Sequence, residues 1–463
     1  MAEGFGRVAV IGNSFAGLLT ARALAEHAES VTIIDRDRIP ESPQHRAGVP
    51  QDRHVHVVLG GGQAALEAML PGILNELAVL GVPAVAHPRD VLQLNRGQWV
   101  PRWDESVALL TGTRPIVEHA VRSRILDDGR IACVEGTEVV GLHGDAKRVR
   151  GVLTRRRGAT PGEPEVLEAD LVVDASGRGS RMPQWLTALG APAPVEERVD
   201  TGLAYATRLY QGGIRPADGD YKGIYLVPNP TMPRSAVILP IEEPGYYLVT
   251  ISGLGGDTPS TDPEQYESFA ERLEHPIVAR WLGSAQAQSA PIGHRGTANV
   301  RRRYDRLRGP QGLLVVGDAA TAVNPIYGQG ITVAAVGAWE LGRAVDAGER
   351  SLRRLQRIVK DAGEQAWTIS GSVDKSMPGA TGNGVRSGPA DRIASWYLGR
   401  VQDYAQGHRH VSHAFIDVLH LLAPVRTLFS WRVARTVLFG RRPGPVREPP
   451  LYADPPATDR TAA

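Results

Sequence analysis

The chain has 463 residues, enough for two or three domains and a sizeable core. Its 52 Lys and Arg against 50 Asp and Glu leave it near neutral, which excludes a nucleic-acid binder driven by net charge. Cys133 is the only cysteine, so an internal disulfide, a cysteine zinc site and a Cys-x-x-Cys redox pair are excluded. No leader-like start and no apolar run of about 18 residues is found, which predicts a cytoplasmic protein without a transmembrane segment.

In chain order, the β-branched run Arg7–Ile11 ends at Gly12-Asn-Ser14-Phe-Ala16-Gly17 and opens into a helical pattern; Val31-Thr-Ile-Ile then ends in Asp35. This order describes a strand–helix–strand nucleotide-binding unit. Gly12 makes the tight turn, small residues at Ser14, Ala16 and Gly17 let backbone approach a pyrophosphate, and the helix N-terminus faces its charge. Asp35, with Arg36 beside it, is placed to accept from a ribose hydroxyl. An acid there favours NAD or FAD over NADP. An ordinary strand-to-helix packing turn is the other reading.

A long segment with few periods follows, Pro43-Gln-His-Arg46-Ala-Gly48-Val-Pro50-Gln51-Asp-Arg53-His54-Val-His56, of the length that tends to be functional. Helical spacing returns over Gln63–Leu80 and Ile116–Leu126. Strands are predicted near Val91–Val100, Ile131–Val134, Val149–Thr154 and in Ala169–Asp174, the last running into Ala-Ser-Gly177-Arg178-Gly-Ser180. Alternation from Gly202 to Leu254 reads as an antiparallel sheet. A buried strand then ends in Gly317-Asp318 and leads into Asn324-Pro325-Ile-Tyr327-Gly328-Gln329-Gly330. The stretch 331–440 reads as helical, interrupted at 370–388, and the proline-bearing tail 441–463 as disordered.

Three of these segments, Gly12–Gly17, Asp174–Ser180 and Gly317–Gly330, occur in an order that resembles the FAD-dependent monooxygenases of the para-hydroxybenzoate hydroxylase type. More narrowly, the loop from Pro43 to His56, Ala175–Ser180, Tyr205-Ala-Thr-Arg208 and Asn324–Gly330 are similar to the actinobacterial epoxidases of polyether-antibiotic pathways, of the monensin and lasalocid kind. Those tend to read Tyr-Gly-His-Gly-Met where this chain has Gln329 and Ile331 at the variable positions.

The resemblance implies an α/β fold in which a Rossmann-like FAD-binding domain (1–80, 115–185, 290–345) is interleaved with an antiparallel-sheet substrate domain (81–114, 186–289), followed by a helical region (346–440). It implies FAD on Gly12, Ser14, Ala16, Gly17, Asp35, Arg36, Arg46 and Arg114. Asp318 would meet the ribityl chain, and Gly328, Gln329 and Gly330 the flavin pyrimidine edge, where a helix N-terminus favours negative charge. The alternatives are a helix cap for Asp318 and surface ion pairs for Arg114 and Arg46. His54 and His56 share one face of an extended segment but lack a third ligand, so no metal is expected.

The expected chemistry is transfer of one oxygen atom from O2, through a flavin C4a-hydroperoxide, to an alkene of a large apolar polyketide-like molecule. It is flavin-centred, with no residue marked as acid or base. Tyr205, Leu209, Tyr225, Leu226 and Tyr247 from the sheet, with Pro325 and Tyr327, are the candidate pocket residues. A single glycine-rich turn implies that NAD(P)H acts as a transient reductant or that a partner reductase supplies reduced flavin. An aromatic hydroxylase, an FAD-dependent dehydrogenase or reductase, and a non-redox cyclase or FAD-binding protein are the alternatives. A halogenase is disfavoured: lysine is confined to Lys147, Lys222, Lys360 and Lys375, and no Trp-x-Trp-x-Ile-Pro segment is present. The stretches Phe415–Ala423 and Val425–Arg435, apolar with basic residues interspersed, suit packing on the two domains, or contact with a membrane surface or partner.

Overall fold

The computed structural model describes residues 4–104, 107–158, 163–213, 218–385 and 388–453. A parallel sheet of five strands has the order 313–315, 171–174, 7–11, 30–34, 131–134. Its central strands carry almost unbroken Val, Ile and Leu because helices cover both faces, as parallel sheets require. The helix Phe15–Ala25 starts at the carboxyl end of the central strand and packs on Gly330–Asp346. Residues far apart in sequence thus meet at the carboxyl edge of this sheet.

A second, larger sheet takes its strands in the order 286–287, 204–211, 246–253, 234–240, 223–226, 91–95, 98–99, with 292–294 also paired to 204–211. Its pairs are antiparallel except 223–226 with 91–95. Alternation divides each strand between two faces. One packs on the helices Pro263–Ala270 and Ile277–Ser284 through Tyr210, Ile238, Val249, Ile251 and Trp281. The other looks toward the parallel sheet.

The helical prediction for the C-terminal third holds. The helix Leu352–Asp374 is followed by Pro389–Ala405, Arg409–Leu419 and Trp431–Phe439, which share an apolar cluster of their own. The disordered tail is a correction as far as residue 453, the remainder lying outside the described residues. Trp99 N donates to Val446 O at 2.9 Å, and Arg102 Nη1 donates to the carbonyls of Pro450 and Leu451 at 3.0 and 2.8 Å. A proline-rich run leaves its carbonyls free, and the buried guanidinium of Arg102 takes them. No helix among the described residues is long and apolar enough to cross a membrane.

Candidate functional site: one cavity with a charged end and a neutral wall

A cavity of about 750 Å³ lies between the two sheets. At one end is the glycine turn. Gly12 has φ +105, and a Cβ there would sit 2.7 Å from Ala175 O, so only glycine fits. Asn13, Ser14 and Ala16 border the cavity beyond it. Gly17 does not border it: its Cβ position falls 1.9 Å from Gly12 O, so its role is to let the helix close on the strand. Gly317 serves the same fit from the other side, where a Cβ would meet Ala16 Cβ at 2.6 Å.

Asp35 borders the cavity with Arg36, accepting from Asn13 N and Asp37 N at 2.8 Å each. Behind the turn lies a buried cluster. Glu118 accepts from Ser14 Oγ at 2.6 Å, from Arg114 Nε at 3.3 Å, and from both Arg46 and Arg122. Burial alone would raise the Glu118 carboxyl, but the three guanidinium groups overcome it and hold the carboxyl at about 2. Arg114 is fully engaged, also donating to Ser14 Oγ at 2.8 Å and His56 Nε2 at 3.4 Å. Arg46 is not: its Nη1 is buried without a hydrogen-bond partner, 3.6 Å from Asp35 Oδ2. Three arginines against Glu118 and Asp35, one of them holding an unused donor, fit a pyrophosphate placed against the helix N-terminus.

The long loop between Pro40 and Leu59 joins this end to the larger sheet. Asp37 and Asp52 hold it by accepting from Gly48 N at 2.7 Å and Arg46 N at 2.9 Å. His56 donates through Nδ1 to His54 O at 2.9 Å, leaving Nε2 to accept from Arg114. His54 Nδ1 meets Thr207 Oγ1 at 2.8 Å, and its Nε2 is buried and unpaired. Burial lowers both imidazoles to about 3, so both are neutral.

Asp318 borders the cavity without a hydrogen-bond partner among the described residues, which suits a polyhydroxy chain. Asp174, fully buried, instead ties the next turn by accepting from Ser176 and Ser180. The backbone of Gly328 (φ +65) and Gly330 opens onto the cavity at the start of its helix. Gln329 is a correction: its side chain is buried and donates to Leu419 O at 3.3 Å, away from the cavity.

Of the candidate pocket residues, Tyr205, Tyr225, Pro325 and Tyr327 border the cavity. Tyr247, Leu209 and Leu226 do not. Tyr247 packs on Trp281 because strand alternation turns it to the helix-covered face, where Leu226 also lies. Tyr225 donates to Ile326 O at 3.1 Å, and Tyr327 to Asp374 at 2.7 Å. Asp374 also accepts from Asn299 and Asn324, so the end of a C-terminal helix fixes the Asn324–Gly330 loop.

Sequence reasoning missed Glu118, Arg122 and Asp374. The first two carried a signal, since Arg114, Glu118 and Arg122 recur at i, i+4, i+8 on one helix face. Missed too were His87, Gln93 and His420 at the far end of the cavity. His87 Nε2 meets Gln93 Oε1 at 2.7 Å, His87 Nδ1 meets His420 Nε2 at 3.2 Å, and Gly60 N donates to His420 Nδ1 at 3.3 Å. The backbone donor sets the direction of the whole chain: His420 donates through Nε2 and His87 through Nε2, both rings neutral.

The family described as FAD binding domain matches residues 6–369. Protein Rv3254 of Mycobacterium tuberculosis (strain ATCC 25618 / H37Rv) is 31% identical over 414 residues, 85% of each chain. Flavin-dependent brominase Bmp2 has a similar structure with a TM-score of 0.65 at 15% identity, over 93% of this chain and 96% of its own. So does p-nitrophenol 4-monooxygenase PnpA of Pseudomonas putida DLL-E4, with 0.61 at 18%, over 89% and 98%. These two likenesses carry the fold, and the match over most of the chain carries the family: this protein belongs to the FAD-binding-domain family.

Proposed function

We propose that the protein is an FAD-dependent monooxygenase that epoxidises alkenes of a large, apolar, polyketide-like molecule, with NAD(P)H or a partner reductase as electron source. The observation that carries the reading is the continuity of the cavity: the pyrophosphate cradle opens directly onto a wall of uncharged side chains. Gly12, Ser14, Asp35, Arg46 and Asp318 would hold FAD, with the Gly328–Gly330 backbone at its ring. Bound FAD, once reduced, supplies the activation of O2 that places one oxygen atom on the substrate.

The residues of this chain do the rest by placement and by excluding water. Val57, Val91, Leu109, Val237 and Leu239 line the cavity with hydrocarbon, and Leu419 and His420 close it from the C-terminal helices. Such an enclosure protects a reactive oxygen donor from water. No lysine borders the cavity, which favours oxygen insertion over the halogenation known for others of this fold. His54 and His56 are neutral and Tyr205 is raised by burial, so none of these three is poised as a general base, in keeping with an alkene that needs no deprotonation.

The test is turnover of long-chain alkenes by FAD-loaded protein under isotopically labelled O2. One labelled oxygen in an epoxide product is expected. Substrate oxidation or reduction that continues without O2 would replace this reading with a dehydrogenase or reductase.

A further inference from the structure

The wall of the larger sheet that faces the cavity has a gradient. On strands 204–211, 246–253 and 234–240 it presents Tyr205, Thr250, Ser252 and Ser235, and register brings Tyr205 and Ser235 both opposite Ser252. Further across, on 223–226 and 91–95, it turns to Tyr225 and Val91, joined by Val237, Leu239 and Leu109. Hydroxyl groups therefore cluster at one end, within two strand spacings of about 5 Å.

That polar end is unsatisfied. Thr207 and Thr250 hydrogen-bond each other at 2.6 Å. The Tyr205 hydroxyl, the Ser235 and Ser252 hydroxyls and the His294 ring have no hydrogen-bond partner among the described residues. His54, 2% exposed, borders the same part of the cavity with its Nε2 buried and unpaired, its ring edge-on to Tyr205 at 4.7 Å and 5.6 Å from His294. The far-end polar groups differ, because His87, His420 and Gln93 are chained to one another. Buried polar atoms in folded proteins are normally paired, so the closed-off His54 Nε2, beside hydroxyl groups that open onto the cavity without a protein partner, marks a place where a ligand can supply hydrogen bonds.

Charge narrows the ligand. Every carboxylate bordering the cavity (Asp35, Asp37, Glu138 and Asp318) is away from this wall, on the parallel-sheet side. Arg178, the cation that acts on both Tyr205 and His294, is already tied to the carbonyls of Ala298 and Val323. An ammonium ligand would find no counter-charge on the wall, and a carboxylate would find only Arg295, an exposed side chain beside His294.

We propose that Tyr205, Ser235 and Ser252, with His54 and His294 beside them, form a binding site for an uncharged oxygen substituent, a hydroxyl or ketone, on an otherwise apolar substrate. The hydrocarbon extends from this anchor toward Tyr225 and Val91. This rests on reading the cavity as a substrate pocket beside FAD and names the class of substrate it takes.

Three probes of equal chain length and a terminal alkene separate the possibilities: undecenol, undecenoate and undecene. Binding to FAD-loaded protein is followed by tryptophan fluorescence, with FAD affinity titrated on the same preparation. Undecenol is expected to bind about tenfold tighter than either other probe. His54→Phe and the double variant Ser235→Ala/Ser252→Ala should each bring undecenol down to the level of undecene without changing FAD affinity or undecene binding. Undecenoate binding as tightly as undecenol, no measurable undecenol binding, or variants that weaken undecenol and undecene equally would overturn the site. Failure of the wild type to hold FAD would instead strike the monooxygenase reading.

Discussion

The two ends of the cavity solve the burial of polar groups in opposite ways. At the glycine turn, Arg46, Arg114 and Arg122 surround Glu118, and ionised groups are kept inside the protein by one another. At the sheet wall, hydroxyl and imidazole groups are buried with no formal charge among them. On the proposed reading, the difference follows from the partner each end would take. An anionic pyrophosphate repays a cluster with spare positive charge, whereas a neutral substrate would leave any such charge unpaired and costly.

Breaking the charged end should have the largest effects. Gly12→Val puts side-chain atoms against Ala175 O in a backbone conformation valine does not adopt, so the purified protein should emerge without the yellow of bound flavin. Retention of flavin by that variant would remove the turn from the cofactor site. Glu118→Gln should destabilise the fold by about 3–5 kcal/mol in urea titrations, because it strands buried guanidinium groups. Added FAD should recover part of that loss by supplying negative charge; an equal loss with and without FAD would place the cluster outside the pyrophosphate's reach.

The neutral wall can be separated from the charged end by pH. His54 and His56 titrate near 3 when folded and near 6.5 when unfolded, so the unfolded chain takes up their protons first as pH falls. Stability from these rings is complete above pH 6.5 and drains away down toward pH 3, about 2 kcal/mol for each ring at pH 5. Glu118, held near 2, loses its contribution only below about pH 4.5. Urea midpoints at pH 7.5 and 5 should therefore differ in the wild type and differ less in His54→Gln. The smallest effect is expected for Asp374→Asn, which weakens the acceptor for Tyr327, Asn299 and Asn324 by about 1–2 kcal/mol. Its readout is a rise in the dissociation constant for FAD with undecenol binding kept; the reverse pattern would assign Asp374 to the wall.

The charged end was the more legible in sequence. Gly12, Asp35 and Asp318 sit at strand ends, and strand ends are marked by periodicity and by glycine. The partners that complete the end were harder, because Glu118 acts from a helix a hundred residues away and only its spacing to Arg114 and Arg122 hints at it. At the wall, alternation told that half of each strand faces the cavity but not which half, so Tyr205 and Tyr225 fell inside and Tyr247 outside. Register and the approach of His54 are tertiary, as are His420, which reaches the cavity, and Asp374, which holds the Asn324–Gly330 loop behind it, from helices whose own pattern speaks only of packing.

One close contact, that of Gly317 with Ala16, also bears on how the protein is made. The turn is synthesised before the strand and helix that complete it, which follow roughly three hundred residues later. The central strand must wait for its neighbour at 171–174, and that neighbour for 313–315, before the cradle has a far side. Cofactor capture is thus a late event in the life of a nascent chain. Once made, it fastens the glycine turn to the segment around Gly317, so that the bound group resists unfolding of both.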